Sequence, residues 1–323
     1  MDRRLLAAGL VCACALVAAG CSSGGKGHQA ATPALTANPF TGTKRGLHAP
    51  VLAAKIDNTR PGRPQAGVRD ADIVYAEQVE GGETRLMAVF SSHLPARIGP
   101  VRSARISDLH LLPQFGKPAF AYSGVQHKMI PEVAKAPLYD VSPGHAGGAY
   151  HRDGSRPAPY NLFADPKALL DKAPDASTPR DIGFTFGAAP AGGTARSSYT
   201  VRYPASRFTF DWSASAGKWL VSLDGTADRA AEGGRLGAPT VVVQWCTVTR
   251  SRFHDFLGNY TPLIQTVGDG TGVVLRGGKE YQVKWSRPSE DAGTTYTTTS
   301  GKPMNFATGQ VWVLLAAKHP RVP

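Results

Sequence analysis

The chain has 323 residues, with 36 lysines and arginines against 24 acidic residues, a formal net charge of +12, 42% hydrophobic residues and 36 glycines. That length allows about two domains with cores of their own, and the hydrophobic fraction excludes a wholly disordered chain. The 4 cysteines are too few for a disulfide scaffold of this size, and no Gly-X-Y period supports a collagen-like one.

Residues 1–20 read as an export signal. Arg3 and Arg4 precede an apolar run from Leu5 to Ala19, which is shorter than the roughly 20 residues needed to span a bilayer. The stretch Val17-Ala18-Ala19-Gly20-Cys21 resembles the lipobox of bacterial lipoproteins, with Ala18 where Leu is usual. The resemblance implies a diacylated Cys21 as the mature N-terminus, held on the outer face of the cytoplasmic membrane by two acyl chains. An ordinary cleaved signal and an uncleaved anchor are the alternatives. Cys12 and Cys14 leave with the signal, so only Cys246 remains as a thiol, and it stands in an apolar run that reads as a buried strand. Losing Asp2, Arg3 and Arg4 leaves a mature charge of +11. A basic protein outside the membrane faces anionic headgroups and wall polymers, and nucleic acid is not an expected partner.

Residues 21–46 are rich in Gly, Ser, Ala, Thr and Pro, the composition of a flexible tether. An N-terminal α/β domain is expected over 47–175. Strands are predicted at Val51–Asp57, Asp72–Val79 and Thr84–Ser91, the last two joined by the hairpin signal Glu80-Gly81-Gly82-Glu83. A helix follows in which Ile106, Leu109, Leu112 and Phe115 recur at three-residue spacing, with Ser103 as its N-cap. Ala119–Ser123 reads as a strand, 125–136 as a helix delayed by Pro131, 142–160 as a long loop, and Asn161–Lys172 as a short helix. Residues 176–198 read as a linker. Beyond it the period becomes two, and eight short strands over 199–323 predict a mainly antiparallel β domain, so the class is α+β.

Several motifs in the first half occur in a fixed order: Lys55-Ile56-Asp57-Asn58, Arg63-Pro64-Gln65-x-Gly67, Ala71-Asp72-Ile73-Val74-Tyr75, Val79-Glu80-Gly81-Gly82-x-Thr84-Arg85 and Ile98-Gly99-Pro100-Val101-Arg102-Ser103-Ala104-Arg105. Together with Asn38-Pro39-Phe40-Thr41-Gly42 near the start and Val311-Trp312-Val313 near the end, this set resembles the YerB-like family of bacterial lipoproteins. The resemblance implies paired domains of unknown function on an exported lipoprotein and brings no reaction with it. Ala76 stands where the family commonly has an acid, beside Glu77, and Tyr160 where it tends to have His. No role is carried over to those two positions.

The residues themselves point to anion binding. Arg97, Arg102 and Arg105 fall close together around a helix start, where guanidinium forks and backbone N–H groups favour an anion. Ser103 adds a hydroxyl, Arg85 is a further candidate ligand, and Asp57, Asn58 and Glu80 are candidate supports. The competing reading has these arginines in structural ion pairs. Glu80 and Glu83, across the Gly-Gly turn, are the candidate pair for acid–base chemistry on an envelope glycan or lipid-linked sugar phosphate. A third reading is an assembly factor that docks another envelope protein. No zinc helix, serine elbow or complete phosphate loop is present in the sequence, so no metal or cofactor is expected.

Overall fold

A computed structural model of the protein describes residues 35–318. Eleven strands form the main sheet: β1 (Leu52–Asp57), β2 (Ile73–Gln78), β3 (Thr84–Phe90), β4 (Ala119–Ala121), β5 (Tyr139–Asp140), β6 (Thr194–Ala195), β7 (Thr240–Cys246), β8 (Gly268–Arg276), β9 (Lys279–Arg287), β10 (Thr295–Thr298) and β11 (Val311–Ala317). Their spatial order is β10-β9-β8-β7-β11-β2-β3-β1-β4-β5, with β6 paired to β9. Strand β11 runs parallel to both β7 and β2 and so joins the two halves of the chain in one sheet. Val311 to Ala316 is buried throughout, as a strand covered on both faces requires.

Side-chain alternation splits the core into two layers. Leu52, Ala54, Ile56, Val74, Leu86 and Trp312 face one side. There a second, antiparallel sheet covers them, built on Ser198–Arg202, Arg207–Ser213 and Lys218–Leu223. Phe208 and Phe210 of that sheet place their rings 6.4 and 6.1 Å from Trp312. Ala53, Ile73, Tyr75, Met87, Val89 and Val313 face the other side. They lie under α1 (Ile106–Leu111), α2 (Ile130–Lys135) and the hairpin of Val248–His254 with Tyr260–Ile264. The class is therefore α+β, with mostly antiparallel strands in the C-terminal half.

Four local readings change. The first helix is capped at Arg105, not Ser103, because the Asp108 carboxylate reaches back to accept the Arg105 backbone N–H at 2.6 Å. The helix expected from Asn161 starts only at Pro166, since Leu162–Ala164 pairs instead with Tyr150–Arg152, a strand inside the expected long loop. The end of the expected tether is folded. The Asn38 side chain accepts from the Phe40 N–H at 2.8 Å and donates to the Arg45 carbonyl at 3.0 Å, and the buried Phe40 ring lies 5.5 Å from Phe115. Residues 176–198 likewise bury Ile182 and Phe184 in the core, the latter 5.0 Å from Phe306. In both stretches one or two large apolar side chains outweigh a Pro/Gly-rich composition.

Phe40→Ala should therefore lower the unfolding free energy by about 3–5 kcal/mol, as for a fully buried aromatic. Urea denaturation reads this directly, and an unchanged midpoint would mean that the segment is a tether after all.

Candidate functional site

Sheet register collects charge at one end of the central strands. Asp57 of β1 lies opposite Arg85 of β3, and Arg85 lies opposite Glu77 of β2; Lys55 is one step back on the same face. Lys55 is fully buried. Its ammonium donates to Glu77 Oε2 at 2.7 Å and to Asp108 Oδ1 at 2.6 Å, while Asp108 Oδ2 caps α1 through Arg105. Two buried carboxylates share one buried cation. Burial first, and then the Asp108 carboxylate, push the Glu77 pKa from 4.5 up to about 8, and Lys55 only partly offsets them. Protonated Glu77 leaves the triad neutral, as a low-dielectric interior favours.

The arginine segment is threaded beside this triad. Gly99 adopts φ 144°, and a Cβ there would lie 2.8 Å from a Phe163 ring carbon and 2.9 Å from the Leu162 carbonyl oxygen, so no larger residue fits. After the cis Gly99–Pro100 bond, the Val101 N–H donates to the Leu162 carbonyl at 2.7 Å and the Arg102 N–H to the Lys55 carbonyl at 2.9 Å. Arg102 Nε then lies 3.0 Å from the buried Asp57 Oδ2, although neither atom has an aligned hydrogen bond. The contact is Coulombic. Its guanidinium also sits 5.4 Å from the centre of the Tyr160 ring. Arg105 grips Glu80 through Nε at 2.7 Å and Nη2 at 2.6 Å, and the Thr261 hydroxyl donates to the other Glu80 oxygen. Burial works against the Glu80 carboxylate, but Arg105 and Thr261 outweigh it and hold its pKa below 4.5.

Arg85 lies between these two ion pairs. It is buried and donates to the Ser103 carbonyl at 2.8 Å. Among the described residues no carboxylate lies within ion-pair distance of it. Burial and then the neighbouring Arg105 and Arg102 push its pKa down, yet a guanidinium stays charged in proteins. Three cations thus face two carboxylates.

Of the residues expected at the site, Arg85, Arg102, Ser103, Arg105, Asp57 and Glu80 come together. Arg97 turns away, 4.8 Å over the Phe163 ring and 3.7 Å from Asp153. Asn58 locks the turn after β1, accepting from Gln65 at 3.0 Å and donating to Thr84 at 2.8 Å. Glu83 is partly buried, and burial, Asp224 and Asp57 raise its pKa, so it rather than Glu80 is biased toward the protonated form. Burial raises the Cys246 thiol to about 12, which makes it inert. Cys21 lies outside the described residues. The sequence reading does not single out Lys55 and Glu77, and offers Asp108 only as a structural partner for the arginines, whereas it bonds Lys55 and the Arg105 backbone. The available signal was a charge at an inward-facing position of each of two apolar strands.

Two clefts flank the segment. One of about 430 Å³ is lined by Arg102, Ser123, Tyr150, His151 and Arg152. The other, of about 380 Å³, has Glu80, Arg105 and Thr261 against Met129, Phe253 and Phe256.

The triad makes a prediction about pH. With its folded pKa raised, Glu77 contributes stability that is full below pH 4.5 and is lost as pH rises through about 8. Glu77→Gln keeps an acceptor for Lys55 and cannot ionise. The difference in unfolding free energy between the variant and the parent should grow in the variant's favour across that window. A constant difference would contradict a protonated Glu77.

Residues 35–179 match the N-terminal domain, and residues 199–313 the C-terminal domain, of a protein family described as of unknown function, DUF3048. The chain is 26% identical over 281 residues to a Bacillus subtilis protein named "Putative lipoprotein YerB", covering 81% of this chain and 80% of that one. The crystal structure of YerB from Bacillus subtilis has the same fold, with a TM-score of 0.71 at 22% identity over 86% of this chain and 95% of that one. With both of its domains matched, the chain belongs to the YerB-like DUF3048 family.

Proposed function

We propose that this is a lipid-anchored extracytoplasmic protein that binds an anionic cell-envelope ligand through the cleft beside Arg102. The observation that carries the reading is the count of ion-pair partners: among the described residues Arg85, Arg102 and Arg105 have Asp57 and Glu80 within ion-pair distance. The surplus positive charge, centred on buried Arg85, would act on an anion in the cleft through Arg102, which lines it. His151, Arg152 and Ser123 on the walls of the same cleft support the reading. Anchoring through Cys21 draws on the sequence and on the name of the Bacillus relative. The mature charge of +11 favours a polyanion such as a wall polymer.

The catalytic alternative uses Glu80 or Glu83 as acid or base; Glu83, partly buried and near Asp224 and Asp57, is the one whose surroundings favour a proton donor. It requires product formation from an envelope glycan that Glu83→Gln abolishes while binding persists.

Arg152 is the residue to test. It is exposed, its side chain bonds Asn161 at 2.7 Å, and among the described residues its loss leaves no buried acid alone. Arg102→Ala, by contrast, strands Asp57 in the core. Retention of the chain on purified envelope should fall with salt and after removal of anionic polymers. Arg152→Ala should weaken it about three- to tenfold with thermal stability unchanged. Retention indifferent to salt, to stripping and to the variant would sink the binding reading.

A further inference from the structure

The hairpin of Val248–His254 and Tyr260–Ile264 ends in a turn with the most exposed apolar side chains among the described residues. Phe256 is 95% exposed and Leu257 71%, with Tyr260 at 53% beside them. The turn is firmly built. Asp255 Oδ1 accepts from the Leu257 and Asn259 N–H groups at 2.9 and 2.8 Å, its Oδ2 accepts from the Asn259 side chain at 2.9 Å, and the Asp255 N–H donates to the Asn259 carbonyl at 2.9 Å. These bonds engage both oxygens of the Asp255 carboxylate, which keeps its charge, and fix the turn from which Phe256 and Leu257 project.

Cations ring the apolar tip. Arg250 lies 4.9 Å over the Tyr260 ring, and Arg252 is largely exposed while pairing with Glu132 of α2. That pair brings the start of α2 alongside, with half-exposed Ile130 and exposed Lys128. Two acids of the described residues, Glu132 and Asp255 of the turn itself, stand against Arg250, Arg252 and Lys128.

We infer that this hairpin tip docks on an anionic lipid bilayer, with Phe256 and Leu257 inserted at the headgroup boundary and Arg250, Arg252 and Lys128 on lipid phosphates. Apolar side chains on a convex turn, backed by cations, suit an interface that is apolar inside and anionic outside. The chain carries its own means of reaching one. The 14 peptide steps from Cys21 to Leu35 span at most about 50 Å whatever their conformation, so an acylated Cys21 keeps the body within reach of the surface. This part rests on the anchoring proposed above. Phe256 also borders the cleft that holds Arg105 and Glu80, so docking sets the mouth of that cleft at the level of the headgroups.

The test is Phe256→Trp in the full chain, reconstituted into phosphatidylglycerol or phosphatidylcholine vesicles with brominated acyl chains, the parent chain supplying the background of its own tryptophans. A side chain this exposed can be replaced without loss of folding, and Leu257→Trp provides a second probe. Docking predicts blue-shifted emission, quenched at least about twofold more in phosphatidylglycerol than in phosphatidylcholine, with Arg250→Glu/Arg252→Glu removing the difference. Flotation with the vesicles reads the anchor separately. A chain that floats while the introduced indole emits as in water overturns the docking and leaves the anchor standing. A chain that does not float overturns both. Emission that shifts with protein density in detergent, and not with lipid, overturns the docking in favour of contact between copies.

Discussion

The buried ammonium of Lys55 holds the centre of this molecule together. Its two carboxylate partners come from different places, Glu77 from the neighbourhood of the sheet's central strand and Asp108 from the first turn of α1. Asp108 spends its second oxygen on the Arg105 N–H, so the contact that neutralises Lys55 also sets where α1 begins and where Arg105 projects. The Lys55 carbonyl in turn accepts from the Arg102 N–H. Removing Lys55 leaves the dehydrated Asp108 carboxylate without its cation, a loss of about 3–5 kcal/mol in comparable cases. A well-packed apolar trio would cost less to bury, and a buried polar set with so many dependents is better understood as a device for position than for stability.

What is positioned is a surplus. In the ordinary arrangement each buried arginine would meet its own carboxylate. Here Asp57 serves Arg102 and Glu80 serves Arg105, while Arg85 rests on a neutral carbonyl. Asp57 itself has no latitude: its Oδ1 is held by the Thr59 N–H at 2.7 Å and by the Thr59 hydroxyl, and a Cβ on Gly62 would sit 2.3 Å from it. The cluster is thus held rigidly, the condition under which binding of the proposed anion would lose least to reorganisation. The clefts on either side differ in character, one polar beside Arg102 and one with apolar walls beside Arg105.

Much of this was legible from the sequence because strands reveal themselves locally. Strands form at Leu52–Asp57, Ile73–Gln78 and Thr84–Phe90, each inside the span expected for it, with the Gly-Gly turn between the last two. Partner choice was not legible. Nothing in the run Val311-Trp312-Val313 says that it pairs between Thr240–Cys246 and Ile73–Gln78, because parallel pairing across so long a separation leaves no periodic mark. Lys55 and Glu77 looked like ordinary polar positions, since alternation alone does not show that α1 covers that face. The arginine cluster was visible as spacing, but its division was not: Arg97 went to Phe163 because the tight turn at Gly99 redirects the chain between it and Arg102. Val248–His254 escaped notice as a strand because most of its residues are polar or basic, and only its pairing with Tyr260–Ile264 makes it one.

The proposed anion site beside Arg102 rests on the positive charge of Arg85, which has no carboxylate within ion-pair distance among the described residues. Titrating the purified protein with a soluble glycerol-phosphate oligomer, while following arginine side-chain Nε–Hε resonances assigned by Arg85→Lys, tests it most directly. The account predicts that the Arg85 and Arg102 signals shift together and saturate, and that added salt reverses the shift. Arg85 and Arg102 resonances that stay in place, while only exposed arginines respond, would contradict it and leave the cluster as internal structure alone.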